Sequence, residues 1–184
     1  YLEGWLAQKP PTRPDNEGWW PAYTAWQAFA VKVLVETGRN EDSHLTRLYG
    51  YRDRMPVFAL AYLNDALVVK GEGSGVRSTE LRRLMANAIL PEAATSHVEE
   101  VSDPYLMWFW NSNVRSTAIV LNSLVNVTTA GADAAPYRGL VAWLLKARTN
   151  GRWGNTQENA LALEALVSYY RRFEATVPDF TGTA

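Results

Sequence analysis

GRWGNTQENALALEALVSYY, residues 151–170, holds the pattern from which the architecture follows. A Gly-led turn carries Trp153. Asn155 and Glu158 then stand at capping-box spacing, one placed to cover the first free N–H groups of a helix and the other to reach back across the turn. Behind them the chain runs to Phe173 without proline or glycine, which predicts a helix over 156–173. The small Ala160 near its start predicts close approach of a neighbouring backbone. Trp153 is expected to lie over the helix end with its indole N–H on a loop carbonyl.

The same entry recurs upstream. Gly18, Trp19 and Trp20 lead through Tyr23 to Thr24 and Ala25, and Trp110 leads through Arg115 to Thr117 and Ala118. The residues before the first and third turns also correspond, Leu6 to Lys9 with Leu144 to Ala147. Self-similarity of this kind marks a repeated supersecondary unit, here a helical hairpin. One hairpin cannot bury its own apolar face, so the units are expected to pack side by side, as an open solenoid or as a closed ring of inner and outer helices.

Helical spacing fills most of the remaining chain. Over 22–36, Ala25, Trp26, Phe29, Val33 and Leu34 fall on one face, with Pro21 suited to the first turn and Gly38 to the end. Over 56–70, Ala59, Leu60, Leu63 and Leu67 repeat at the same interval, and Gly71 follows. Shorter helices are expected over 43–51 and over 78–90, the latter stopped by Pro91. Further ones span 114–127 and, behind Asp133, 134–148. One region differs. His97–Val101 and Tyr105–Trp110 are rich in β-branched or aromatic residues around Ser102, Asp103 and Pro104, which predicts a small β-hairpin whose alternation sends Trp108 and Trp110 to one face.

Composition narrows the function classes. Eighteen basic and nineteen acidic residues leave a net charge of -1, too little to draw in nucleic acid or an anionic membrane. No apolar run approaches the roughly 18 residues of a membrane span. The chain has no cysteine, so disulfides, thiolate metal sites and thiol nucleophiles are excluded from it. It opens at Tyr1 without an initiator Met or a signal-peptide pattern, and reads as a fragment of a longer polypeptide.

No catalytic constellation emerges. The adjacent acidic pairs are Glu41 with Asp42 and Glu99 with Glu100, and no Asp-rich cluster exists. Only His44 and His97 could serve as imidazole ligands or bases. A glycosidase needs two carboxylates about 5–10 Å apart across a cleft. Glu17, Asp103, Glu158 and Glu164 are conceivable members, yet a loop, a turn, a cap and an exposed helix face account for them. We therefore assign no catalytic, cofactor-binding or metal-binding residue. The Trp residues of the repeated turns read as packing, and Trp108 as a candidate interdomain contact.

A family resemblance rests on these same segments. GRWGNTQENALALEALVSYY (151–170) resembles the last helical repeat of the thioester-type, complement-component-like domain of bacterial alpha-2-macroglobulin-like protease inhibitors. NVRSTAIVLNSL (113–124) and YTAWQAFAVKVL (23–34) resemble earlier repeats. The resemblance covers about residues 1–173 and implies a mainly α fold, part of an α/α-toroid. About four helical hairpins would be present where a full ring has about six. Residues 174–184 resemble the family's linker to a following β-domain. The implied function is that of a noncatalytic domain of an endopeptidase inhibitor in the periplasm or cell envelope. Its partners would be neighbouring domains of the same polypeptide and, through the parent protein, target proteases, with no cofactor and no direct membrane insertion. The family's thioester needs a Cys, which this chain lacks. The turn pattern also resembles repeats of terpenoid cyclases and of the prenyltransferase toroid, so a toroidal enzyme, including a glycosidase, and an α-solenoid scaffold for protein partners stand as alternatives.

Overall fold

In the computed structural model, residues 1–8, 18–100, 105–109, 111–129 and 131–175 are described. Among these residues the chain is mainly helical, with eight α-helices and one antiparallel β-hairpin. The helices are α1 (Leu2–Leu6), α2 (Trp20–Glu36), α3 (Asp42–Gly50), α4 (Val57–Val69), α5 (Val76–Asn87), α6 (Asn113–Asn126), α7 (Ala135–Lys146) and α8 (Thr156–Tyr169), the last running on as a wider π turn over Tyr170–Glu174. Glu17, Asp103 and Trp110, together with the expected linker after Ala175, lie outside the described residues.

Four helices form a row: α2 packs on α4, α4 on α6, and α6 on α8. They run parallel. Phe29, Tyr62, Ala118 and Leu161 border one cleft, Lys32, Asp65, Asn122 and Glu164 follow one turn further along, and Glu36, Val69 and Asn126 come after them, so residue numbers rise together on all four helices. Helices α3, α5 and α7 pack against the row and bury only narrow stripes, such as Leu45 and Leu48 or Leu140 and Leu144. By contrast α4 lies between α2 and α6 and is buried nearly all round, from Phe58 to Leu67. That explains its apolar composition, since a helix covered on several sides has no polar face to keep.

Helix ends follow local chemistry. Gly38 and Gly71, at φ 84° and 83°, close α2 and α4 in the left-handed region where a side chain would be strained. Each lets a following N–H return to the last turn: Arg39 to the Leu34 carbonyl at 3.0 Å, and Glu72 to the Leu67 carbonyl at 2.8 Å. Asp133 caps α7 by accepting the Ala135 N–H at 2.9 Å.

Three expectations need correction. The hairpin exists but lies upstream of its expected place: β1 (Ile89–Glu92) pairs with β2 (Thr95–Val98), Pro91 opposite Ser96. Helix α5 therefore stops at Asn87, because Pro91 biases Leu90 toward extended backbone. A proline is tolerated in a two-stranded sheet, where it can stand on an open edge. The expected second strand, around Tyr105–Trp110, is instead a 3-10 turn over Leu106–Phe109, whose backbone has no two-face alternation.

The buried face of α2 also differs. Ala25 and Leu34 are buried as expected, but Trp26 and Phe29 are exposed, and Ala22, Ala28, Val31 and Val35 fill the core instead. Finally, Ala160 is exposed. Helix α8 buries Ala162, Ala165 and Tyr169. It stands at the end of the row and is covered on one side only, so the close approach passes two residues beyond Ala160. The closest approach of a neighbouring chain to a glycine occurs elsewhere: a Cβ at Gly139 of α7 would stand 2.5 Å from the Ser96 hydroxyl, so the hairpin can lie on α7 only because position 139 has no side chain.

Candidate functional site

The row of parallel helices leaves a cleft of about 180 Å³, lined by side chains of α2, α4, α6 and α8 alone. It continues into a second compartment of about 270 Å³, and the two share Lys32, Asp65, Asn122 and Glu164. Each of these polar residues interrupts an apolar run: AVKVLV in α2, YLNDAL in α4, IVLNSL in α6 and LALEAL in α8. Helical repetition brings the four to one level.

Their electrostatics are mixed. Lys32 Nζ donates to Glu36 Oε1 at 2.6 Å. Burial works against the Lys32 charge, but the bond to Glu36, with Asp65 and Glu164 nearby, outweighs it and raises the ammonium pKa. Half-buried Asp65 is pushed up to about 7 by loss of solvent, against the opposing pull of Ser123 and Lys32. Glu164 accepts a hydrogen bond from Asn122 Nδ2 at 3.2 Å, while Asn122 Oδ1 is buried without a partner. Tyr62 forms one wall; its phenol pKa is raised by burial, and its oxygen accepts from buried Arg115 at 3.2 Å. Exposed Phe29 stands beside it, ring centroids 5.4 Å apart and planes at 59°.

Of the two carboxylates weighed from sequence that are described, Glu158 and Glu164, the second reaches this cleft and the first does not. Glu158 serves two helix ends. Its backbone N–H donates to Asn155 Oδ1 at 2.9 Å, its Oε2 accepts the Gly154 N–H at 2.8 Å, and its Oε1 accepts the Ser112 hydroxyl at 2.6 Å. Ser112 in turn caps α6 by accepting the Arg115 N–H at 3.1 Å. The capping box is thus shared between two parallel helices.

Both histidines are structural bridges. His44 Nδ1 lies 2.7 Å from Glu41 Oε2, and its Nε2 lies 3.2 Å from the Leu6 carbonyl, joining α3 to the end of α1. His97 is buried and stacks on Trp143 of α7, ring centroids 4.8 Å apart and planes at 8°, with Nε2 3.1 Å from Glu99. Trp153 is buried and donates its indole N–H to the Leu144 carbonyl at 2.9 Å; the acceptor is the end of α7, not a loop.

Glu100, adjacent to Glu99 in sequence, is half-buried and accepts the Phe58 N–H at 3.2 Å, capping α4; burial raises its pKa and that bond restrains the rise. Among the described residues no three His, Cys, Asp or Glu side chains converge as metal ligands would. Nor is any described helix long and apolar enough to cross a membrane. Compared with protein-family models, curated proteins and solved structures, the chain matches none.

Asp65 and Asn122 were missed in sequence because they carry no mutual spacing signal. What could have found them is position within the repeat: a polar residue that interrupts an apolar helical run at a corresponding level in successive units.

Proposed function

We propose that this chain is a noncatalytic helical domain of an alpha-2-macroglobulin-like endopeptidase inhibitor, an arc of an α/α-toroid that packs in the protease-trapping assembly. The observation that carries the reading is the parallel row α2, α4, α6 and α8, each member joined to the next through a flanking helix, as successive hairpins of a toroid would be. The segments that resemble the family's repeats, 23–34, 113–124 and 151–170, fall on members of that row.

Two further features fit. The free side of α8 exposes Leu163, Val167 and Tyr170 at helical spacing, an apolar stripe suited to a neighbouring domain of the same polypeptide. And the carboxylates at the helix entries, Glu158 and Glu100, are engaged in capping, which leaves them no catalytic work. In this reading the chain supplies no thioester, having no cysteine, and acts in the periplasm or cell envelope of a bacterium through its parent protein.

A toroidal glycosidase is the second reading, favoured by one observation: Asp65 and Glu164 border the same cleft. One experiment separates the two. The polypeptide encoded by the whole gene is incubated with endopeptidases and examined by gel filtration and by the accessibility of α8 to hydrogen exchange. The inhibitor reading expects a trapped protease and changed protection along Leu163, Val167 and Tyr170. Absence of trapping, or turnover of glycans by the present chain, would overturn it.

A further inference from the structure

We propose that the cleft between α2, α4, α6 and α8 is a carbohydrate-binding site that takes two linked sugar rings along the helix axes. The inference goes beyond the packing role above and does not depend on it.

Size comes first. The two compartments, about 180 and 270 Å³, are each below the roughly 300–1,000 Å³ typical of pockets for drug-sized ligands. They meet at one polar level, so a ligand spanning them presents its linkage there. The wall chemistry is that of a sugar site. Phe29 offers an exposed ring as an apolar surface for the C–H face of a pyranose, and the buried Tyr62 ring backs it at a tilt of 59°.

At the shared level Lys32 and the Asn122 amide can donate, Glu164 can accept, and Asp65 can do either according to its protonation, while Glu36 lines only the second compartment. Sugar hydroxyls both donate and accept, and only a mixed set satisfies them. A charged ligand fits less well. The Lys32 charge is already paired with Glu36, which disfavours an anion in a cleft that also holds two more carboxyl groups. Asp65 carries a proton about half the time near neutrality, which weakens the pull on a cation.

The test is titration of the chain with cellobiose and with N,N′-diacetylchitobiose, followed by the backbone and Asn122 side-chain NMR signals. We expect saturable shifts confined to residues of the cleft. Phe29→Ala and Asp65→Asn should each weaken binding about tenfold or more, while unchanged spectral dispersion shows that both variants are folded. No response to either disaccharide, or equal affinity in both folded variants, would overturn the site. So would saturable binding of spermidine in place of sugar, which would make the cleft a cation site. Release of reducing sugar would uphold the site and overturn the noncatalytic reading. Failure to bind sugar leaves protease trapping by the parent as a separate, unaffected measurement.

Discussion

Entering α8, Trp153 is buried with its indole N–H on the Leu144 carbonyl, beside a cap in which Asn155, Glu158 and Ser112 satisfy one another's neighbours. Entering α2, Trp20 is equally buried but its indole N–H has no partner; it is held by rings, Tyr51 at 5.0 Å and 89°, Tyr23 at 5.3 Å and Trp19 at 6.0 Å. The two turns share a sequence pattern and differ in physics. One is a hydrogen-bonded joint between consecutive helices, the other an aromatic cluster with an unmet donor. Repetition in sequence thus preserves the position of a Trp without preserving what its polar atom does.

Substitutions can break or sharpen this contrast, each read as a shift in urea-unfolding midpoint. The largest effect should come from Trp153→Ala, a loss of about 3–5 kcal/mol from the cavity alone, together with an uncovered Leu144 carbonyl. Ala25→Val should follow, at about 1–3 kcal/mol, because Ala25 is fully buried where α2 meets its neighbours and two added methyl groups overpack the site. Glu158→Ala should cost about 1–3 kcal/mol, leaving the Gly154 N–H and the Ser112 hydroxyl without their acceptor.

A matched pair sharpens the comparison. Trp153→Phe should cost about 1 kcal/mol more than Trp20→Phe, since only the first removes a made hydrogen bond and the second relieves an orphan donor. Equal losses would show that the two joints are alike after all. The smallest change is expected for Ala160→Trp, within about 0.5 kcal/mol, because that position is exposed. A large loss there would restore the close approach that the repeat pattern predicts.

How far the chain could be read from residues alone depends on what each signal encodes. Helices α2, α4 and α7 were legible to within a residue or two at most of their ends, because Pro21, Pro56, Asp133, Gly38 and Gly71 act locally through their own backbone or first-turn bonds, while α6 was legible from its apolar spacing alone. The hairpin was misplaced because its two-residue loop is Ala93-Ala94, with Ala93 at φ 46°, where the usual signal is Asn-Gly. Nothing in an Ala-Ala pair announces a turn.

The face of α2 was misread for a tertiary reason. Trp26 and Phe29 are the largest apolar groups on that helix, yet the interior beside α4 admits alanines, and size excluded the aromatics from it. The capping role of Glu158 was legible from spacing, but its second bond, to Ser112 in another helix, was not, being 46 residues away in sequence. The cleft was hidden for the same reason. Its polar residues belong to four helices and meet only once those helices run parallel.

That parallel arrangement has an electrical consequence. Each helix carries roughly half a positive charge at its N-terminus and half a negative charge at its C-terminus, and in a row of alternating direction these would cancel between neighbours. Here they add, so one rim of the row gathers four positive ends and the other four negative ends. Glu100 at the start of α4 and Glu158 at the start of α8 stand on the positive rim, where their charge opposes the field of the helices they cap. Helices α3, α5 and α7 carry the chain back between members of the row and offset much of this sum, so what persists is local: each row helix presents its free N–H groups to the carboxylate that caps it.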